Sequence, residues 1–179
     1  MARARERGRS AQRGRGRRVD QEHLHNGSAL NAVDAKGRLS VPAFIRAMIE
    51  RRSPEKLIVL GKHEAEACLV GYDANYKRDV LADVNRRKLR DEERGVELRA
   101  HHSRNRRAFG LTESCAWDSS GRIILPPMMR RIGGIDDLVL FVGAGETFEL
   151  WNPQRALDSG DPDLAELAAY RLEERGVAP

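Results

Sequence analysis

No stretch of the sequence approaches the roughly 18 uninterrupted apolar residues that a membrane-spanning helix needs, and no apolar segment follows the arginine-rich N-terminus as it would in a secretory signal. A soluble, cytoplasmic protein is the expectation. Cysteine is scarce: Cys68 and Cys115 are the two in 179 residues, and they lack the CxxC spacing of a zinc or redox site. Both read as reduced apolar residues. Five histidines are present, yet His101 and His102 are adjacent and so point to different sides of a helix, while His23 and His25 have no partner at metal-ligand spacing. There is no P-loop, nucleophile elbow or carboxylate pair, and Gly143-Ala-Gly145 lacks the third glycine of a dinucleotide fingerprint. No catalytic residues, metal or cofactor are expected.

The charge is unevenly placed. Of a formal net +5, the first 18 residues carry eight arginines (Arg3, Arg5, Arg7, Arg9, Arg13, Arg15, Arg17, Arg18) against Glu6, which leaves the rest of the chain slightly acidic. Arg/Gly/Ser tracts cannot bury a core, so residues 1–22 are expected to form a disordered basic tail. Two readings stay open for it: a solvated or untranslated segment, or a nucleic-acid arm that binds any polyanion without reading sequence.

What the chain does have is an internal repeat. Asp34-Ala-Lys-Gly-Arg-Leu-Ser-Val-Pro-Ala-Phe-Ile-Arg46 returns 84 residues later as Asp118-Ser-Ser-Gly-Arg-Ile-Ile-Leu-Pro-Pro-Met-Met-Arg130. Asp, Gly, Arg, Pro and the final Arg coincide, and Leu39, Val41 and Ile45 match Ile123, Leu125 and Met129 in kind. Each copy continues alike. Pro42 and Pro126 stand where a helix welcomes proline, ahead of Phe44, Ile45, Met48 and Ile49 at helical spacing in the first copy and a shorter helix to Ile132 in the second. Two short apolar runs then read as a hairpin in each, Lys56–Leu60 with Ala67–Tyr72, and Asp137–Val142 with Thr147–Trp151.

The predicted fold class is therefore α+β, with two tandem β-hairpin units carrying short helices. The units span residues 23–73, beginning in a strand near His23 to Leu30, and residues 111–155. Residues 74–110 read as a charged helical pair that bridges them, with a break near Asp91, and residues 156–179 as a C-terminal helix and tail with a Leu164, Leu167, Ala168, Leu172 stripe. The basic clusters Arg86-Arg87-Lys88 and Arg104–Arg107 are interleaved with acids and read as a solvated face rather than a DNA contact.

The repeated motif is Asp-x-x-Gly-Arg between two apolar strands. Gly37 and Gly121 allow the positive φ of a tight turn, and Asp34 and Asp118 can accept from turn amides, which puts Arg38 and Arg122 at or just past each turn. A local Asp–Arg ion pair is the plainer reading of one copy. Two copies favour another role, because a surface ion pair contributes only about 0–1 kcal/mol and gives little reason to keep the same residues twice. Arginine's planar fork matches guanine O6 and N7 or a phosphate, and a β-ribbon that carries it fits the major groove.

On these residues, Ala32–Pro42 paired with Asp118–Pro126, the chain resembles the MraZ family with its paired DxxxR signature, relatives of the AbrB-like swapped-hairpin DNA-binding domains. The resemblance covers about residues 24–155. It implies two pseudo-twofold-related units and a nucleoid-associated regulator of the division and cell-wall gene cluster. It further implies a repressor that binds short G-rich direct repeats in promoter double-stranded DNA, and a homo-oligomer closing into a ring. Carried over by residue, the DNA contacts fall on Arg38 and Arg122, with Lys36 beside the first, and Ser120 stands where the second loop would carry a basic or polar residue. An AbrB-like antitoxin or a ring scaffold for a protein partner is the alternative, though an antitoxin usually supplies one hairpin unit per chain.

Overall fold

The computed structural model describes residues 24–178; the basic tail and His23 lie outside them. Among these residues there are eight strands and six α-helices, and the strands together with the helices at Ala43–Arg52 and Pro127–Gly133 follow the order that the repeat predicts. The first half runs β1 (Ser28–Ala32), β2 (Arg38–Ser40), α1 (Ala43–Arg52), β3 (Leu57–Lys62) and β4 (Leu69–Asp73). The second runs β5 (Thr112–Ala116), β6 (Arg122–Ile124), α4 (Pro127–Gly133), β7 (Leu138–Ala144) and β8 (Thr147–Trp151). Between them lie α2 (Lys77–Glu93), α3 (Leu98–Asn105) and a π turn (Arg106–Gly110), and after them α5 (Pro153–Leu157) and α6 (Pro162–Glu174).

The halves exchange strands. One antiparallel sheet has the order β1-β7-β8-β4-β3-β5, so the first strand of each half pairs with a strand of the other, and β2 pairs with β6 in a separate two-stranded ribbon. Ala32 lies opposite Leu138, and Ala116 opposite Leu57. Ala32 and Ala116 are repeat equivalents and so are Leu57 and Leu138, so the same contact is made reciprocally about a pseudo-twofold axis. The axis passes between β4 and β8, where Leu69 faces Leu150 and Gly71 faces Phe148 on either side of the Val70–Glu149 pair. The register survives a length change because α1 has ten residues and α4 seven, and the shortfall falls entirely within the helix.

Burial explains why the exchange holds. Leu39, Val41, Ile45 and Ile49 of one half and Ile123, Leu125, Met129 and Val139 of the other belong to a single cluster, so neither half has a complete core alone. Phe148 and Phe141 are fully buried in it. Gly71 makes room for Phe148: a Cβ there would sit 2.4 Å from the ring. Both cysteines are buried and unpaired, and burial pushes their thiols up, Cys115 to about 11.

Three boundaries differ from expectation. The first strand begins at Ser28, not His23, because Gly27 turns the chain at φ 96°, although His25 still bridges to Gly145. The helical bridge breaks after Glu93, where Gly95 takes φ 69°, rather than near Asp91. A short helix, α5, follows β8 because Asn152 accepts from the amides of Gln154 and Arg155. The Leu164 stripe does pack: α6 buries Ala168 and Leu172, and Arg171 Nε donates to Ser28 Oγ at 3.0 Å. Among the described residues, no helix is long and apolar enough to cross a membrane.

His25 carries a testable acid sensitivity. It is 1% exposed, edge-on to Phe148 at 5.0 Å, and neither ring nitrogen has a hydrogen-bond partner. Burial, aided by Arg52 and opposed by Asp73, lowers its pKa to about 4. Above the ordinary histidine pKa both folded and unfolded chains hold it neutral, and as pH falls the unfolded chain takes the proton first. Stability is therefore lost progressively from about pH 6.5 down to about pH 4, by about 2 kcal/mol between pH 7 and pH 5. Urea unfolding of the wild type and His25→Phe at the two pH values measures this. The variant should lose the histidine's share of the slope, and an equal slope in both would remove His25 as the cause.

Candidate nucleic-acid interface

Each repeat motif folds into the same turn. The Gly37 amide donates to the Asp34 carbonyl at 2.8 Å and the Gly121 amide to the Asp118 carbonyl at 2.9 Å, closing four-residue turns with aspartate first and glycine last. Gly37 and Gly121 adopt φ 76° and 75°. Such a turn, followed by a left-handed glycine, re-aims the next residue as a bulge does. The residues re-aimed are Arg38 and Arg122.

The aspartates work on both backbone and side chain. Asp34 Oδ1 accepts from the amides of Lys36 and Arg38, each at 2.9 Å, while Oδ2 accepts from Arg38 Nε at 2.5 Å. Asp118 repeats the pattern with the amides of Ser120 and Arg122, and its Oδ2 accepts from Arg122 Nε at 3.0 Å and Nη2 at 2.9 Å. These bonds, the arginine backbone amide first and the guanidinium second, hold both carboxyls below their ordinary range. Both pairs thus persist at neutral pH and are lost only when acid titrates the carboxylates through their lowered pKa values. The local ion pair of the plainer reading is present in both copies. It is compatible with a base contact: Arg38 is held at Nε alone, and Arg122, held at Nε and Nη2, still has the Nη1 hydrogens and the second Nη2 hydrogen to donate.

The sequence treats the motifs as two loops, whereas the fold joins them. In the β2–β6 ribbon Arg38 lies opposite Ile124, Leu39 opposite Ile123, and Ser40 opposite Arg122. The Leu125 amide donates to the Gly37 carbonyl at 2.8 Å and the Val41 amide to the Gly121 carbonyl at 2.9 Å, so each turn is tied to the other half's strand. Strand alternation sends Leu39 and Ile123 into the core and leaves Arg38, Ser40, Arg122 and Ile124 on the outward face. Lys36 is exposed at the tip of the first turn, and Ser120 occupies its place in the second.

One supporting residue escapes a reading based on turn chemistry. Arg46 is half-buried, donates from Nε to the Val41 carbonyl at 3.1 Å, and lies over Gly121, where a Cβ would come within 2.7 Å of its guanidinium carbon. Its repeat partner Arg130 instead donates to the carbonyls of Ile135 and Asp136. The recurrence of an arginine at the end of both motifs was the available signal, but not its packing on the opposite turn.

Most cations of the other basic clusters are paired. Arg86 and Arg87 pair with Asp83, Arg87 also with Glu64, Lys88 with Glu92, and Arg104 with Asp91. Arg107 donates to the Glu64 carbonyl at 3.1 Å. Arg87 and Arg107 tie the bridge to the β3–β4 connection at Glu64, and the other pairs lie within α2 or join α3 to α2.

Comparison with known proteins places the chain among named relatives. The family described as "MraZ protein, putative antitoxin-like" matches residues 108–155. A protein of Coxiella burnetii named transcriptional regulator MraZ is 32% identical over 139 residues, 75% of this chain and 84% of its own. Proteins of the same name from Beijerinckia indica, 34% identical over 152 residues (83% and 87%), and Ruegeria pomeroyi, 30% over 135 residues (71% and 76%), extend the likeness. With the duplicated turn, the exchanged strands and this coverage together, the chain belongs to the MraZ family.

Proposed function

We propose that the protein is a non-enzymatic, sequence-specific transcriptional regulator that reads double-stranded DNA with the outward face of the β2–β6 ribbon. The observation that carries this reading is the convergence of Arg38 and Arg122, from turns 84 residues apart, on one two-stranded ribbon. The major groove, about 12 Å wide, admits such a ribbon. Family membership supports the class of activity, since the relatives are named transcriptional regulators. Lys36 adds a phosphate contact beside the first turn, and Asp34, Gly37, Asp118 and Gly121 hold both arginines in place.

The finer reading follows the family resemblance. The target is a G-rich direct repeat in the promoter of a division and cell-wall gene cluster, the effect is repression, and the protein acts at the nucleoid as a homo-oligomeric ring. Exposed Leu81, Leu89 and Leu98 on α2 and α3 supply apolar surface for self-association. The antitoxin-like description of the family favours one second reading, a DNA-binding partner of a toxin; a small toxin frame beside the gene would support it.

Titration of the DNA just upstream of the gene against a scrambled duplex, with light scattering of the same sample, tests the proposal. The expected result is preference for the upstream duplex by an oligomer. Equal binding of both duplexes would overturn sequence reading, and a monomer at micromolar concentration would overturn the ring.

A further inference from the structure

The ribbon's backbone is symmetric and its chemistry is not. About the pseudo-twofold axis the Arg38–Ile124 pair is equivalent to the Arg122–Ser40 pair, and Lys36 is equivalent to Ser120. Both differences fall at the same end. One end presents a lysine, an arginine and an isoleucine, and the other presents a serine, an arginine and a serine. Ile124 is 67% exposed, the most exposed large aliphatic side chain among the described residues, and it sits on the face that holds both arginines. An exposed aliphatic residue is ordinary by itself. This one is not required by the fold, because Ser40 fills the equivalent position.

Resting on the DNA-reading proposal above, we infer that Ile124 is a specificity residue that packs on the 5-methyl group of a thymine beside the guanine read by Arg38, so that the ribbon reads its site with a fixed polarity. The geometry suits this. Directly opposed residues on an antiparallel pair stand about 5 Å apart at Cβ, so their side chains can reach adjacent base steps, which rise about 3.4 Å each. The thymine methyl is the one apolar group that the major groove displays, and aliphatic side chains are its natural partners. With Asp34 and Asp118 offsetting the two arginines, Lys36 leaves the face net positive, which suits a polyanion better than another apolar surface. At the other end Ser40 offers no such contact, and Arg122 reads alone.

The test uses the full-length protein and a duplex selected by it from a random library. Each thymidine in the selected site is replaced, one at a time, by deoxyuridine, which pairs identically and lacks only the methyl group. Wild type should lose about fourfold in affinity at one position next to a guanine, the worth of one buried methyl. Ile124→Ser should be indifferent to that replacement, and Ile124→Val should keep most of the sensitivity. The serine variant is expected to fold, since serine is accommodated at position 40 of the same ribbon. Wild-type indifference to every deoxyuridine, or an Ile124→Ser protein as sensitive as wild type, would overturn the inference. The underlying reading fails separately: guanine preference that survives both Arg38→Ala and Arg122→Ala would show that the ribbon does not read bases at all.

Discussion

Arg38→Ala is expected to weaken binding to the specific duplex by about 1–3 kcal/mol while leaving the melting temperature nearly unchanged. The size follows from the loss of a bidentate contact to guanine O6 and N7, and the unchanged melting from the position of the residue. Arg38 is 40% exposed, and its ion pair with Asp34 is of the surface kind, worth about 0–1 kcal/mol. Arg38→Lys should fail to restore binding, because lysine keeps the charge and loses the fork. Arg122→Ala should give the same signature with a smaller loss, since Ser120 supplies no charge where the first turn has Lys36. The double variant should retain only salt-sensitive, sequence-indifferent binding. A structural arginine predicts the reverse: a lower melting temperature on Arg38→Ala and rescue by Arg38→Lys. Fluorescence titration beside thermal denaturation separates the two.

The largest effect on stability is expected from Phe148→Ala, about 3–5 kcal/mol. Phe148 is fully buried beside the pseudo-twofold axis, opposite Gly71 in the central β4–β8 pair and in ring contact with His25 and Phe141. Its removal leaves a cavity in a place where both halves meet, and no single element can close over it. Gly71→Ala should also destabilise, because the added Cβ meets the Phe148 ring at 2.4 Å. The two changes should not add. In the Phe148→Ala background the clash is gone, so Gly71→Ala should cost far less there than in wild type. Guanidinium unfolding of the four proteins measures the coupling, and simple additivity would show that Gly71 is not kept for the ring.

The repeat made the element order legible, since turn chemistry and proline placement are local properties written in both copies. The positive φ of Gly37 and Gly121, the proline-led openings of α1 and α4, and the β3–β4 and β7–β8 hairpins all follow from neighbouring residues. Strand exchange does not. Whether β1 pairs with β7 or stays within its own half depends on which arrangement completes a shared core around Leu39, Ile123 and Phe148, and no local pattern states that. The meeting of Arg38 and Arg122 on one ribbon was hidden for the same reason. Ile124 was hidden by its own resemblance to the core: in an apolar run of Ile123, Ile124 and Leu125, only strand alternation about a known pairing reveals which one faces out. The short α5 rests on the Asn152 cap and on burial of Pro153 and Ala156, and five residues are too few to carry a helical period.

Methylation protection of guanine N7 in the bound duplex tests the central claim most directly. Dimethyl sulfate modifies that atom in the major groove, where an arginine fork on O6 and N7 would shield it. The account predicts guanines shielded in the wild-type complex, with one shielded position becoming reactive in Arg38→Ala and a different one in Arg122→Ala. Guanines as reactive in the wild-type complex as in free DNA would contradict it.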